Sequence, residues 1–457
     1  MLFGKCLRQL LASASLFLAL SLSLYAAPGR AVFLDDELEV AKARLGFVRG
    51  ETEEILATYF LFDGDKTGSI ALAELRDAAR RGVKVKLVID GVQFASWADT
   101  KGLTPGLLRH LADEGVEIRV FNPVKMKLEP KFVLTHPWEL LKWRPNQVVR
   151  NHEKLLILKK LRIVANGDRN MQNINFRKDV RLPGLSYRSV ETFSQGTVGD
   201  QAVHHFNEDI WTSPWVYGLD LSNVTPAEIE VGKRRLDTYI KLSREKLPAT
   251  SAEWLARMEA VADIKLSYDF VNPLDKNQKI PGAEMDLLEM IDGAKENGLI
   301  EIISPYIRLP DHMEKAVFRA IQERNVKVKI LIPSRTTTDA PITLRAFKRQ
   351  AKRLRKAGVE IFEHQGPDFL HAKLMIVDRL KVFIGSHNLN WRSWVTDYES
   401  GSIFTGESFA AKVGEFHEHV RTQESLPYVR PPLGPIDVCA DLLLGGALII
   451  PPVNRQL

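Results

Sequence analysis

Two tandem α/β domains, each a sheet covered by helices, are the fold class this 457-residue sequence predicts. Three echoes predict it. Residues 53–91, EEILATYFLFDGDKTGSIALAELRDAARRGVKVKLVIDG, return at 299–334 as LIEIISPYIRLPDHMEKAVFRAIQERNVKVKILIPS. Residues 107–123 (LLRHLADEGVEIRVFNP) return at 351–364 (AKRLRKAGVEIFEH), and 151–170 (NHEKLLILKKLRIVANGDRN) at 370–388 (LHAKLMIVDRLKVFIGSHN). The order of elements is the same in both halves, which marks an internal duplication.

Taken from the start, Lys5 and Arg8 precede an uncharged apolar run from Leu10 to Ala27, with Pro28 just beyond. Residues 1–27 read as an export signal, cleaved or kept as a signal anchor, so the body is expected in the periplasm. Cys6 lies in that segment and leaves Cys439 alone, so no intramolecular disulfide forms and stability comes from packing. The first domain is expected over 36–222. Each βαβ copy is a β-rich apolar run, a loop, a helix of period 3.6 and a second β-run, Val83 to Ile89 or Val326 to Ile332.

Inside the first copy, DGDKTGSIALAE (63–74) spells a calcium loop, with Asp63, Asp65, Thr67, Gly68 and Glu74 at ligand or turn positions. A calcium hand needs a helix before the loop, whereas ILATYFLF is β-leaning, and the second copy has no ligand series. The stretch is read as a strand-to-helix loop with capping polar residues.

Residues 124–150, which the second half lacks, hold six basic and two acidic residues interleaved with Trp138 and Trp143. That insertion suits either a bilayer interface or a lid over the cleft. Residues 223–275 are charged and helix-leaning, a helical connector; the second domain covers 276–425. The tail, 426–457, turns Pro-rich and then apolar, and reads as a packed or interfacial segment. The balance of 63 basic to 57 acidic residues leans toward anionic partners.

The chemistry concentrates in HAKLMIVD and IGSHNLNWRS. His371 and Lys373 share a strand face, Asp378 follows, then Gly385, Ser386 and Asn388. The first half repeats the pattern with His152, Lys154, Gly167 and Asn170. One neutral imidazole can attack phosphorus while a second, protonated, supplies the leaving alkoxide with its proton. Lys154, Lys373, Asn170 and Asn388 can hold the non-bridging oxygens.

On these motifs, together with SPYIRLPDHM, NVKVKILIPSRTTTDAP, KAGVEIFE and TDYESG, the chain from about 40 to 425 resembles the phospholipase D superfamily. Within it, the bacterial cardiolipin synthases of the C type are most similar. The resemblance implies two domains of mixed sheet flanked by helices, related by a pseudo-twofold axis and sharing one active site at their interface. It also implies a phosphohistidine, with no metal and no cofactor. Glu399, in TDYESG, matches the family acid that orients an imidazole, and Glu191, in YRSVETFSQG, is its looser counterpart. The chain departs from the family at Lys159, where the first motif has Asp, and at Ser189.

Strand parity puts Lys159 off the inward row of His152, Lys154, Leu156 and Leu158, in or beside a turn, and Asp378 begins the matching turn. The expected function is a phospholipid phosphatidyltransferase of cardiolipin-synthase type. Its partners are phosphatidylglycerol, with phosphatidylethanolamine as a second lipid, and a membrane surface. Hydrolysis of phospholipid, or of nucleic acid as the less fitting diester, is the alternative; a non-catalytic lipid-binding protein is the second. The pairs at His204–His205 and His417–His419 lack zinc spacing and read as solvated helix positions. The helix at 347–356 keeps Leu344, Phe347, Ala351 and Leu354 on one stripe, with a basic face for anionic lipid.

Overall fold

The computed structural model describes residues 27–94, 102–123, 149–176, 186–272 and 279–429. The expected export segment up to residue 26, the body of the insertion (124–148) and the tail from 430 lie outside the described residues.

Among the described residues, sixteen strands form one continuous sheet. In chain order they are β1 (Ala27–Leu34), β2 (Glu54–Tyr59), β3 (Lys84–Asp90), β4 (Val116–Phe121), β5 (Lys154–Leu158), β6 (Ile163–Gly167), β7 (Glu191–Gly196) and β8 (Val216–Gly218). Then come β9 (Glu259–Tyr268), β10 (Leu299–Ile303), β11 (Lys327–Pro333), β12 (Glu360–His364), β13 (Leu374–Val377), β14 (Lys381–Gly385), β15 (Ser400–Thr405) and β16 (Ser425–Pro427). The lateral order is β8-β4-β3-β2-β5-β6-β7-β1-β9-β15-β14-β13-β10-β11-β12-β16. From either edge inward the roles repeat: an antiparallel edge strand, three parallel strands, then antiparallel pairs to the centre. The pseudo-twofold runs between β1 and β9, which pair antiparallel.

The two expected sheets are therefore fused. Two strands that join them fall where the sequence predicted none: β1 begins at the end of the presumed export segment, and β9 lies inside the presumed helical connector. That connector is helical only to residue 257, as helices Pro226–Lys246 and Ser251–Arg257. A capping box between Thr225 and Glu228 starts the first of them.

Burial follows the same symmetry. The parallel strands and their antiparallel neighbours read as apolar runs, as strands buried on both faces must. One core belongs to the first half, around Phe47, Leu72 and Leu107, and one to the second, around Met313, Val317 and Phe347. The third core spans the seam, joining Leu155 and Phe206 to Leu266, Ile376 and Phe404. Removing either half would strip that core of its other side. No helix among the described residues is long and apolar enough to cross a membrane.

The calcium-like loop is a strand-to-helix connection whose polar groups have other partners. Asp65 caps the helix Lys66–Arg80, its carboxylate accepting the Gly68 N–H at 3.0 Å. The Asp63 carboxylate accepts from the Gln93 and Gln172 amides. Glu74 sits about two helical turns further on, buried against Arg49, Ser243 and Arg244.

Candidate active site

Two short parallel ladders cross the seam, and they deliver each histidine to the other half. Arg150–Asn151 pairs with Asp397–Tyr398, and Phe369–Leu370 with Tyr187–Arg188. The next backbone bonds continue them: the His152 N–H donates to the Tyr398 carbonyl at 2.9 Å, and the His371 N–H to the Arg188 carbonyl at 3.0 Å. The motif glycines allow the loops to close beneath. A Cβ on Gly167 would stand 2.5 Å from the Val190 carbonyl, and one on Gly385 2.3 Å from that of Ser400.

His152 donates from Nδ1 to Glu399 Oε2 at 2.9 Å. Glu399 also accepts from Ser386 Oγ at 2.5 Å and Ser393 Oγ at 2.6 Å. Burial alone would raise its pKa, but His152, His387 and Lys154 outweigh burial and hold it at about 2. His371 donates from Nδ1 to Asp168 Oδ2 at 2.7 Å, and that carboxylate also accepts from Ser189 Oγ at 2.7 Å. Burial pushes Asp168 up, but the His371 hydrogen bond and the Lys373 charge keep it below its usual range. Both imidazoles thus have an ionised partner on Nδ1, which fixes the tautomer that leaves Nε2 for chemistry.

The lysines lie beside them. Lys154 Nζ donates to the His152 carbonyl at 2.5 Å; Lys373 Nζ donates to the His371 carbonyl at 2.9 Å and stands 3.2 Å from His371 Nε2. Burial lowers Lys154 to about 7 and Lys373 to about 8, and the charge of Lys373 is among the causes acting on Lys154. Burial and then the Lys373 charge bring His371 to about 4, whereas for His152 burial lowers the ring and Glu399 opposes it. A bound phosphodiester would satisfy both ammonium groups at once.

Aromatic walls differ between the two sides. Tyr187 stacks flat on His371 with centroids 4.5 Å apart, Tyr306 meets it edge-on at 6.0 Å, and both hydroxyls donate to Asp339, at 2.8 and 2.5 Å. His152 has Phe60 against it, edge-on at 4.8 Å. Asn170 and Asn388 are buried three residues past the motif glycines, and Asn170 Oδ1 accepts the Leu61 N–H, which orients its amide.

Of the residues expected to be catalytic, His152, Lys154, His371, Lys373, Ser386, Asn170, Asn388 and Glu399 gather in and around this site. Glu191 and Asp378 do not join it. Glu191 is buried against Arg44, Oε1 to Nε at 2.7 Å, so it orients no histidine. Asp378 begins the turn after β13 at φ 55° and accepts the backbone N–H groups of Lys295 and Leu299 at 2.8 and 3.0 Å; its role is structural. Lys159 is half-exposed in the matching turn, paired with Glu53 at 2.6 Å.

His205 and His417 are not solvated. His205 is buried between Glu153 and Asp209, whose charges outweigh burial and raise it to about 10. His417 is buried beside Glu301 and Glu418, where Lys329 and Arg379 stand 3.7 and 3.6 Å from Glu301, positive neighbours that disfavour a divalent cation.

Asp168 was missed in the sequence. Its signal was there: an Asp directly after Gly167, where the second half has Ser386.

Residues 287–420 match the family model described as cardiolipin synthase, PLD-like domain. A cardiolipin synthase C of Escherichia coli K12 is 23% identical over 420 residues, 82% of this chain and 81% of that protein. Residues 287–420 thus carry the phospholipase D-like domain of the cardiolipin-synthase family, and over both halves the chain is similar to a member of that branch. An uncharacterized protein of Helicobacter pylori J99 is 24% identical over 422 residues, covering 84% of this chain and 77% of the relative. Among solved structures, the phosphatidylserine synthase of Haemophilus influenzae Rd KW20 superposes with a TM-score of 0.66 at 15% identity, over 95% of this chain and 97% of that one. That likeness is one of fold, and it runs over both halves. The chain is accordingly an enzyme of phosphatidyl transfer or phosphodiester cleavage.

Proposed function

We propose that this phospholipase D homologue is a cardiolipin-synthase-type transferase that works through a phosphohistidine. The observation carrying this reading is the mirrored pair of imidazoles, each tied by Nδ1 to a carboxylate, with a buried lysine beside each. His371 Nε2 attacks the phosphorus of a phosphatidylglycerol. The P–O bond to glycerol breaks, and His152, protonated with the substrate bound, gives its Nε2 proton to the leaving oxygen. The hydroxyl of a second phosphatidylglycerol then attacks the phosphohistidine while His152 takes its proton. The P–N bond breaks, giving cardiolipin and neutral His371. Lys154 and Lys373 hold the non-bridging oxygens through both steps.

Water in place of the lipid alcohol would give phosphatidic acid, so transfer and hydrolysis share this first half-reaction. Incubation of the purified protein with phosphatidylglycerol vesicles, alone and with phosphatidylethanolamine, is expected to yield cardiolipin and free headgroup. Formation of neither would sink the reading. Export to the periplasm and contact with the membrane surface are part of the proposal, supported by residues 1–27 and the basic, Trp-containing insertion. Protease protection in intact cells, lost on outer-membrane permeabilisation, is the expected check.

A further inference from the structure

We propose that Asp168 is the positioning acid of His371, and that it reached this role by an exchange of places between a carboxylate and a serine. Strand register shows the exchange. In the first half Gly167 pairs with Glu191, and in the second Gly385 pairs with Gly401. Two residues before those partners stand Ser189 and Glu399. One residue after the glycines stand Asp168 and Ser386. The acid thus lies on the loop after the glycine in one half and on the facing segment in the other.

Each histidine nevertheless meets the same pairing of acid and serine. Around His371, Ser189 Oγ donates to Asp168 at 2.7 Å; around His152, Ser386 Oγ donates to Glu399 at 2.5 Å. The imidazole Nδ1 lies 2.7 Å from its carboxylate in one case and 2.9 Å in the other. Even the backbone donor is kept. The Val190 N–H reaches Asp168 Oδ1 at 2.9 Å, and its counterpart, the Ser400 N–H, reaches Ser386 Oγ at 3.0 Å. Each pocket holds a ring N–H, a carboxylate acceptor and the exchanged hydroxyl donor, so these polar groups balance whichever position carries which; Glu399 takes one hydroxyl more, from Ser393 Oγ at 2.6 Å. Glu191, aligned by the duplication with Gly401, is left free of catalytic duty and serves Arg44 instead.

The exchange predicts compensation. Asp168→Ser leaves two hydroxyls and no carboxylate at His371, so the ring loses the acceptor that selects its tautomer. Ser189→Glu alone puts two carboxylates round one imidazole, which favours the protonated ring and removes the nucleophile. Asp168→Ser with Ser189→Glu rebuilds on the first half the arrangement that the second half already has.

The test compares the native protein with these three variants, using phosphatidylglycerol vesicles and ¹⁵N spectra of histidine-labelled protein. Asp168→Ser is expected to lower kcat by about 10²- to 10⁴-fold with KM little changed, and to shift the His371 ring away from the Nδ1–H form. The double variant is expected to recover kcat to within about tenfold of native and to restore the Nδ1–H signal. A folded Asp168→Ser protein with native kcat overturns the proposal. So does a folded double variant no better than Asp168→Ser in rate and ring spectrum. The rates rest on the transferase reading, whereas the spectra do not. If native protein transfers nothing, that reading falls, and the ring spectra alone decide the exchange.

Discussion

His371 and His152 have the same partners by type but differ in which charge ranks next after burial, Lys373 for one and Glu399 for the other. Lys373 Nζ lies within 3.3 Å of both ring nitrogens of His371, and this with burial holds the ring neutral down to about pH 4. A ring kept neutral is suited to attack; one opposed to burial by Glu399 is suited to carry a proton. His371→Ala and His152→Ala should each cost at least the roughly 10²- to 10⁴-fold of a lost acid or base on phosphatidylglycerol. They should separate on a phosphatidyl p-nitrophenyl ester, whose leaving group needs no proton. There His152→Ala should give a burst of nitrophenolate and a phosphatidylated peptide containing His371, and His371→Ala no burst; the reverse pattern would exchange their roles. Asp378→Ala should leave kcat alone and cost about 1–3 kcal/mol in denaturant unfolding, because it strands two backbone N–H groups in a tight turn. Lys159→Ala should leave turnover unchanged, since its ammonium meets Glu53 at the surface.

Among elements, the loop at 63–74 shows how a ligand pattern can be spent on other bonds. Its residues are spread over a strand end, a cap and a buried ion pair, and so cannot converge on one ion. Native protein assayed in chelator should keep full activity, and loss of activity restored by calcium alone would contradict the loop as described. Asp65→Ala should cost about 1 kcal/mol, the usual price of a helix cap. Glu74→Ala should cost about 3–5 kcal/mol, because it leaves Arg49 and Arg244 without their shared carboxylate between the helix and the connector. What the sequence made legible at this scale was whatever repeats: βαβ units, motif strands, and the parity that turned Lys159 and Asp378 into turn residues. β1 and β9 were illegible because each is single in its half and sits in a segment whose composition pointed elsewhere. Asp168 was hidden for a related reason. Alignment by residue type sought an acid opposite Glu399 and found Glu191, two positions along, whereas pairing register shows that Ser189 faces that place.

At the scale of the molecule, the site exists because the duplication folds as one sheet with a shared core, so that ladders crossing the seam bring each motif to the other half's acid. The four buried cations in waiting then set the pH response. In the free enzyme the nucleophile needs pH above about 4, the pKa of His371. The proton donor His152 ionises below its ordinary 6.5, and Lys154 and Lys373 lose their charge through about 7 and about 8. Rising pH therefore removes first the acid and then the phosphate anchors, so kcat/KM should peak on the acid side of neutrality and fall steadily above it. Binding an anionic diester favours the charged forms of all four groups and raises their pKa values. The alkaline limb of kcat, which reports the lipid-bound enzyme, should then lie at higher pH than that of kcat/KM. Both profiles can be measured on one vesicle preparation at constant ionic strength. If the two alkaline limbs coincide, substrate phosphate does not meet these lysines, and the site has been assigned to the wrong cleft.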